Sequence, residues 1–213
     1  MSLRTNQSQA GISLVELLVG IIILSIVTTM IIMSWTSLQN SYSSTVKGAE
    51  ARNTARDAME RMRREIRDIQ PPLGQTGGIT QAGANEIRFT TAFNDPGTDG
   101  DGRILLTRYY YSYDGSKPPD QWRLFRQRDT NNDGSFTGDP TMVIARNVVN
   151  GAVPSAGSPT PVFEYFGVDG TTTSVLTEIA TVQIRVISDL NPTHSPTYFD
   201  LMTTVQPRNL RPQ

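Results

Sequence analysis

The sequence has no cysteine and only one histidine among its 213 residues. Without cysteine, the chain forms neither disulfides nor thiolate metal sites. A histidine metal cluster or a Ser-His-Asp triad would have to depend on His194 alone, which lies in a stretch rich in proline and turn-forming residues. We therefore interpret His194 as a solvated loop residue and predict that the protein is not an enzyme.

An excess of charge of one sign is also missing, because 19 Lys and Arg stand against 20 Asp and Glu. A balanced chain has no overall field that would hold it on nucleic acid or on an anionic membrane surface. Binding through bulk charge is therefore not expected. The length allows one domain of ordinary size and a separate additional element.

The N-terminal region contains a long apolar run, from Ile12 to Met33. As a helix, its roughly 22 residues would span about 33 Å, enough to cross the roughly 30 Å hydrocarbon core of a bilayer. Between Arg4 and Lys47 the only charged side chain is Glu16. An ionised acid near hydrocarbon costs on the order of a few kcal/mol unless it has a partner or lies at the interface. The segment is therefore predicted to be a membrane helix with one carboxylate that needs an explanation.

Three interpretations of this segment compete. A removable secretory signal has an apolar core of about 7 to 15 residues with a small-x-small cleavage site just after it. Here the run is longer, and the nearest Ala-x-Ala, at residues 49–51, lies well beyond its end. A plain signal anchor fits the length but gives no reason for Glu16. In the third interpretation a short leader is removed and the apolar run stays on the protein.

The order of residues at the start of the chain supports the third interpretation. A polar leader, Met1 to Ala10, is followed by Gly11, Ile12 and, after three more residues, Glu16. This order resembles the class III signal of type IV prepilins and type II secretion pseudopilins, in which a membrane-embedded aspartyl peptidase cuts after the glycine and N-methylates the new first residue. The resemblance implies that Gly11 ends the leader, that Ile12 becomes the N-terminus and that Glu16 pairs with the N-terminal amine of a neighbouring subunit. The family usually has phenylalanine where this chain has Ile12.

Beyond a polar stretch, Ser34 to Val46, a charged segment has helical periodicity. Its apolar residues recur every three or four positions, which marks one face of a helix. These residues are Ala51, Ala55, Ala58, Met62, Ile66 and Ile69. Pro71 and Pro72 cannot continue the backbone ladder, so the helix is predicted to end before them. Because no proline interrupts residues 12–70, we expect one nearly continuous helix.

Four arginines on this segment raise the question of nucleic-acid binding. They are Arg61, Arg63, Arg64 and Arg67, and the interleaved acids are Asp57, Glu60, Glu65 and Asp68. Opposite charges recur four positions apart, as on a solvated helix. We interpret the cluster as the solvated face of a helix that supports the domain, and expect nucleic acid as a partner only in a DNA-uptake pilus.

From residue 71 onward, short β-rich runs alternate with Gly, Pro, Asp and Asn. The candidate strands are residues 86–93, 103–113, 122–128, 142–149, 162–166, 179–187 and 198–205. Their alternation predicts a mostly antiparallel sheet with one buried face, against which the apolar face of the helix packs. Tyr109, Tyr111 and Tyr113 are expected on one side of their strand, and Tyr110 on the other.

The predicted fold is α+β and pilin-like, with a long N-terminal helix, transmembrane and then amphipathic, packed on a mostly antiparallel β-sheet domain. The predicted segments are a leader at 1–11, a transmembrane helix half at 12–33, an amphipathic half at 34–70 and a β-rich domain at 71–213. This order resembles the minor pilins of the PilW type and the J-type minor pseudopilins. The resemblance implies a single-pass cytoplasmic membrane protein with an extracytoplasmic domain. Its expected partners are the prepilin peptidase, other pilin or pseudopilin subunits and membrane lipids.

Two acidic loops match metal-binding patterns only in part. Residues 129–134 have the D-x-N-x-D-G start of an EF-hand-like calcium loop, but Pro140 stands at the twelfth position, where an acid is expected. The candidate ligands are Asp129, Asn131, Asp133 and Asp139. The second loop, residues 95–102, has carboxylates without matching spacing. Because Asp-Gly is also common in hairpin turns, calcium and a plain turn are both open interpretations.

A protein of another class would share most of these features. A signal-anchored extracytoplasmic binding domain, such as a calcium-dependent adhesin or a DNA receptor, would also have a membrane helix and a β-rich domain. It would not polymerise and would not need Glu16. The carboxylate in the apolar run is therefore the feature that separates the two hypotheses.

Overall fold

The computed structural model describes residues 13–71, 77–91, 104–113, 116, 121–152, 159–189 and 198–208. Two compact units make up the chain, Met1–Val46 and Lys47–Gln213. Gly11, Ile12, His194 and the acidic loop at 95–102 lie outside the described residues. The predictions for these positions therefore stay predictions.

The N-terminal element is a helix, α1, from Leu14 to Arg67. It continues through the polar stretch at 34–46, where hydroxyl side chains bond to the preceding helical turn. Thr36 Oγ1 donates to the carbonyl of Met33 at 2.9 Å, and Thr45 Oγ1 donates to that of Ser41 at 2.9 Å. These bonds satisfy the hydroxyls inside the helix instead of competing with its ladder. The predicted long N-terminal helix is confirmed.

In the first unit, the apolar side chains of α1 are exposed along the whole run from Leu14 to Met33. By length and composition this helix can cross a membrane. An apolar surface of this length is costly in water, because each buried methylene contributes about 0.8 kcal/mol. The first unit is therefore suited to a lipid or protein environment.

In the second unit, the described strands form two antiparallel sheets where the sequence predicted one. The five-stranded sheet runs in chain order through β1 (Ile79–Ala82), β2 (Glu86–Thr91), β3 (Leu105–Ser112), β4 (Arg123–Arg128) and β5 (Thr141–Arg146). The three-stranded sheet contains β6 (Phe163–Phe166), β7 (Thr181–Asp189) and β8 (Tyr198–Val205) in that order. The prediction of antiparallel pairing is confirmed.

The crossing between the sheets follows β5. This strand was predicted to reach Val149 but ends at Arg146, because Asn147 adopts a left-handed conformation with φ of 55°. Val148 then forms a bridge with Ser188 of β7. The sequence analysis also missed β1, which is only four residues long and contains a single fully buried side chain, Ile79.

The core of the second unit lies between α1 and the two sheets. Of the six residues on the predicted apolar face, all but the half-buried Ala51 are fully buried. They join one hydrophobic cluster with residues of both sheets, including Phe89, Tyr109, Leu124, Phe163 and Ile184. Ile69 lies beyond the end of the helix and is bridged to Thr91 of β2.

The tyrosines of β3 alternate between the two faces of the sheet as predicted. Tyr109 and Tyr111 are buried on the face toward α1. Tyr110 lies on the opposite face, where its ring stacks on that of Phe125 with centroids 5.1 Å apart. Tyr113 follows the end of the strand and is largely exposed, with its ring edge-on to Trp122.

Candidate functional site

Glu16 lies in the first turn of α1, with its side chain exposed. The partial positive charge of a helix N-terminus stabilises a carboxylate there, typically by 0.3–1 kcal/mol in water. Within the described residues its carboxylate makes no ion pair. The roles predicted for Gly11, Ile12 and Glu16 in processing and assembly stay predictions.

The hydroxyl groups of the apolar run have partners inside the helix. Ser25 donates to the carbonyl of Ile21, Thr28 to that of Leu24 and Thr29 to that of Ser25, each at 2.8 Å. Such bonds satisfy polar groups that lipid cannot satisfy. Glu16 differs from them because it carries a full charge, which one turn of helix compensates only in part. A cation from outside α1 would stabilise this carboxylate in hydrocarbon.

A second polar cluster lies in the core of the second unit, around Glu65. Its side chain is only 6% exposed. Oε2 accepts hydrogen bonds from the hydroxyl of Tyr109 at 2.7 Å and from Nε of Arg126 at 3.0 Å, and Oε1 lies 2.9 Å from Nη2 of Arg126. The sequence analysis placed Glu65 on a solvated face, and this was wrong because α1 turns the residue toward β3 and β4.

The charges of this cluster are fixed by its surroundings. Burial, and then the negative charge of Glu65, raise the pKa of Tyr109 well above its usual value. Burial by itself would lower the pKa of Arg126, but the attraction of Glu65 outweighs it and raises the pKa. The tyrosine is therefore neutral and the arginine charged at ordinary pH. The cluster connects helix and sheet.

The structure separates the four arginines of the helical segment into two pairs. Arg61 and Arg64 line a groove of about 500 Å³ whose wall also contains Asp57, Glu60 and Glu65. Arg63 and Arg67 line a different pocket, of about 350 Å³, together with Arg208. The sequence analysis missed Arg208 because it lies near the other end of the chain, where no local motif indicates the contact.

The loop at 129–139 is held by its own side chains. Asp129 is buried, and its carboxylate accepts bonds from the backbone N–H of Asp133 at 3.2 Å and of Gly134 at 2.8 Å. Asp139 Oδ1 accepts from the N–H of Thr130 at 3.0 Å and from its hydroxyl at 2.6 Å. Across the residues that the structure describes, no group of three or more Asp, Glu or His side chains converges on a metal position. Calcium at this loop stays a prediction.

Comparison with known proteins gives two findings and one absence. Residues 6–32 match the family model of the prokaryotic N-terminal methylation motif. No curated protein matches the sequence. The structure is similar to a chain in the crystal structure of the GspK-GspI-GspJ complex from the enterotoxigenic Escherichia coli type 2 secretion system. The TM-score is 0.44 at 14% identity, over 76% of this chain and 98% of that chain. By this motif, the N-terminal region at residues 6–32 is prepilin-like.

Proposed function

We propose that the protein is a minor pilin or pseudopilin, a structural subunit and not an enzyme. Prepilin peptidase removes residues 1–11, and the mature chain assembles through α1 with other pilin or pseudopilin subunits. The product is a type IV pilus or a type II secretion pseudopilus. One observation carries the proposal: the methylation motif at 6–32 coincides with the exposed apolar part of α1, from Leu14 to Met33, whose single carboxylate is Glu16.

The physical argument concerns two charges in an apolar environment. Cleavage after Gly11 creates an amine at Ile12, which is costly to place in hydrocarbon, as is the carboxylate of Glu16. The two groups stabilise each other when one subunit brings its amine to the carboxylate of another. Because the hydroxyls of Ser25, Thr28 and Thr29 are already satisfied within α1, the amine and the carboxylate are the polar groups that direct assembly.

The location follows from the same elements. Before assembly α1 holds the protein in the cytoplasmic membrane through the run from Leu14 to Met33, in contact with lipid. The second unit, with its two sheets, lies outside the cytoplasm. Assembly then moves the apolar surface of the first unit from lipid to the helices of neighbouring subunits, which keeps it out of water throughout.

The proposal is tested by expressing the full chain with and without a prepilin peptidase, followed by intact mass and N-terminal sequencing. We expect a mature chain that starts at methylated Ile12 only when the peptidase is present. Gly11→Val should block cleavage. Gly20→Val is the matched control, because a Cβ added at this position in α1 would meet no atom within 4 Å, and the change should leave cleavage unchanged.

A chain that keeps residues 1–11 despite an active peptidase would overturn the proposal. It would indicate the plain membrane anchor instead, and with it a binding domain that does not polymerise. Cleavage of the Gly11→Val variant at the wild-type rate would contradict the assigned position of the cut.

A further inference from the structure

The pocket that contains Arg208 is lined by positively charged side chains. It lies between the last turns of α1 and the segment that follows β8. Three arginines line it, Arg63, Arg67 and Arg208, and the other lining residues, at 204–207, are uncharged. Within the part of the chain that the structure describes, no Asp or Glu lines this pocket.

The walls of the pocket are fixed by contacts that do not involve a ligand. Nε and Nη2 of Arg63 donate to the carboxylate of Glu60 at 3.1 and 3.2 Å, which holds this guanidinium in place. The N–H of Arg208 donates to the carbonyl of Arg67 at 3.1 Å, which joins the segment after β8 to the end of α1. Val205 and Pro207 are buried. The backbone on both sides of the pocket is therefore held in place without a ligand.

The charge of the pocket exceeds what the fold requires. A helix C-terminus carries about half a negative charge, which one nearby cation is enough to complement. Here three arginines line the pocket beside it, and among the described residues Arg67 and Arg208 form no ion pair with a carboxylate. Arg63 uses two of its N–H groups on Glu60, so the remaining ones are free to donate elsewhere. Several guanidinium N–H donors without a carboxylate partner are therefore gathered at one concave surface.

We propose that this pocket binds a phosphate group. Guanidinium groups present N–H donors in a planar fork that matches the oxygens of phosphate, and bonds between ionised partners are about twice as strong as neutral ones. The volume of about 350 Å³ lies within the range of small-molecule sites. The ligand is therefore a phosphate that carries a further group, either a small phosphorylated molecule or one unit of a phosphodiester strand.

The groove lined by Arg61 and Arg64 shows why arginines alone are not sufficient to bind an anion. Arg61 and Arg64 have the same charge and belong to the same helical turns, but three acids share their groove. Nη1 of Arg61 also lies 3.1 Å from the sulfur of Met142. An anion in that groove would meet negative as well as positive groups, so the local field is neutralised. Arg61 and Arg64 thus provide a matched control for Arg67 and Arg208.

The test is calorimetric titration of inorganic pyrophosphate into the full chain, held in a non-ionic detergent at low ionic strength. We expect saturable binding to the wild type and to the double variant Arg61→Gln/Arg64→Gln. Binding to Arg67→Gln/Arg208→Gln should be weaker by at least about tenfold, since it loses charge-assisted bonds. The variant Arg67→Lys/Arg208→Lys keeps the charge but lacks the planar guanidinium, so it should also bind pyrophosphate more weakly than the wild type. Because it keeps the charge, it serves as a second test if the glutamine variant fails to fold.

A short single-stranded oligonucleotide distinguishes the two sources of phosphate. If it binds with the same dependence on Arg67 and Arg208, the ligand is a phosphodiester strand; if only pyrophosphate binds, the ligand is a small phosphorylated molecule. Absence of saturable pyrophosphate binding to the wild type would overturn the proposal. So would equal losses in the two glutamine variants, because net charge alone would then explain binding. The result does not depend on cleavage after Gly11, so it is independent of the proposed function.

Discussion

The hydroxyl of Tyr109 donates a 2.7 Å hydrogen bond to the carboxylate of Glu65. This bond connects α1 to β3, the middle strand of the five-stranded sheet. Arg126, directly opposite Tyr109 on β4, binds both oxygens of the same carboxylate. A charged group in the core is stable only when its partners are in place, so the three residues fix one position of the helix on the sheet.

Replacement of Glu65 by alanine should therefore strongly destabilise the second unit. The change leaves Arg126, whose side chain is only 12% exposed, without its carboxylate, and breaking a buried pair in this way costs about 3–5 kcal/mol. Urea unfolding of the full chain in detergent measures the loss. Glu60→Ala is the control, since it removes an exposed carboxylate that pairs with Arg63 and should cost at most about 1 kcal/mol. Equal costs for the two variants would contradict the structural role of Glu65.

Alkaline pH should weaken the fold through its buried tyrosines. The hydroxyl of Tyr111 donates to the carbonyl of Val148 at 2.8 Å, and burial raises the pKa of this tyrosine from 10.0 to about 12. Because the pKa is higher in the folded state, its contribution to stability is complete below pH 10 and is lost as the pH rises toward 12. The urea midpoint should fall across this range. Below pH 10, the free energy of unfolding of Tyr111→Phe should be about 1 kcal/mol lower than that of the wild type. It should then fall less steeply as the pH rises.

The exposed Tyr42, in the first unit, serves as the control for this titration. Tyr42→Phe should leave both the starting stability and its dependence on pH as in the wild type. A Tyr111→Phe variant with the wild-type slope would show that other tyrosines account for the alkaline transition. The pKa of Tyr165 is also raised by burial, so some dependence on pH is expected to persist in every variant.

The local periodicity of α1 predicted most of the side chains that reach the core, but not Met59 and Glu65. Met62 and Ile66 recur at helical spacing, and both are fully buried. The same spacing also places Glu65 on the apolar face, since it lies three residues after Met62 and four before Ile69. The sequence analysis overlooked this. A charged residue on an apolar face indicates a buried ion pair whenever a partner is available. Its partner could not be named, since only the register of β3 and β4 places Arg126 beside Tyr109.

Contacts between distant parts of the chain could not be predicted from the sequence for a related reason. Arg208 meets Arg67 because β8 ends beside the last turn of α1, and no residue near either arginine indicates this. The strand β5 ends just before Asn147, which adopts a left-handed conformation, and Val148 then bridges to Ser188 of the other sheet. Asparagine tolerates this conformation but does not demand it, so the residue type alone does not predict the turn.

The buried carboxylate of Asp129 gives a test that separates a turn from a calcium site. Because it accepts bonds from the N–H groups of Asp133 and Gly134, Asp129→Ala removes two hydrogen bonds of the loop and should cost about 1–3 kcal/mol. We expect Asp129→Ala to lower the stability by the same amount in the presence of a chelator and in millimolar calcium. Thermal unfolding measures both, with the exposed Asp169→Ala as the control. A cost that appears only in calcium would show that Asp129 is a metal ligand.

Replacement of Glu16 tests assembly apart from processing. Glu16→Ala should still be cut after Gly11 and should still enter the membrane, because the rest of the apolar run is unchanged. It should be incorporated into filaments at least about tenfold less than the wild type, since the amine of the mature chain loses its only charged partner in the apolar segment. Glu50→Ala removes an exposed acid from the same helix outside the run, and should assemble normally. Cross-linking of subunits in cells that carry the assembly machinery measures incorporation, and equal cross-linking of the two variants would remove the physical basis for a filament held by this carboxylate.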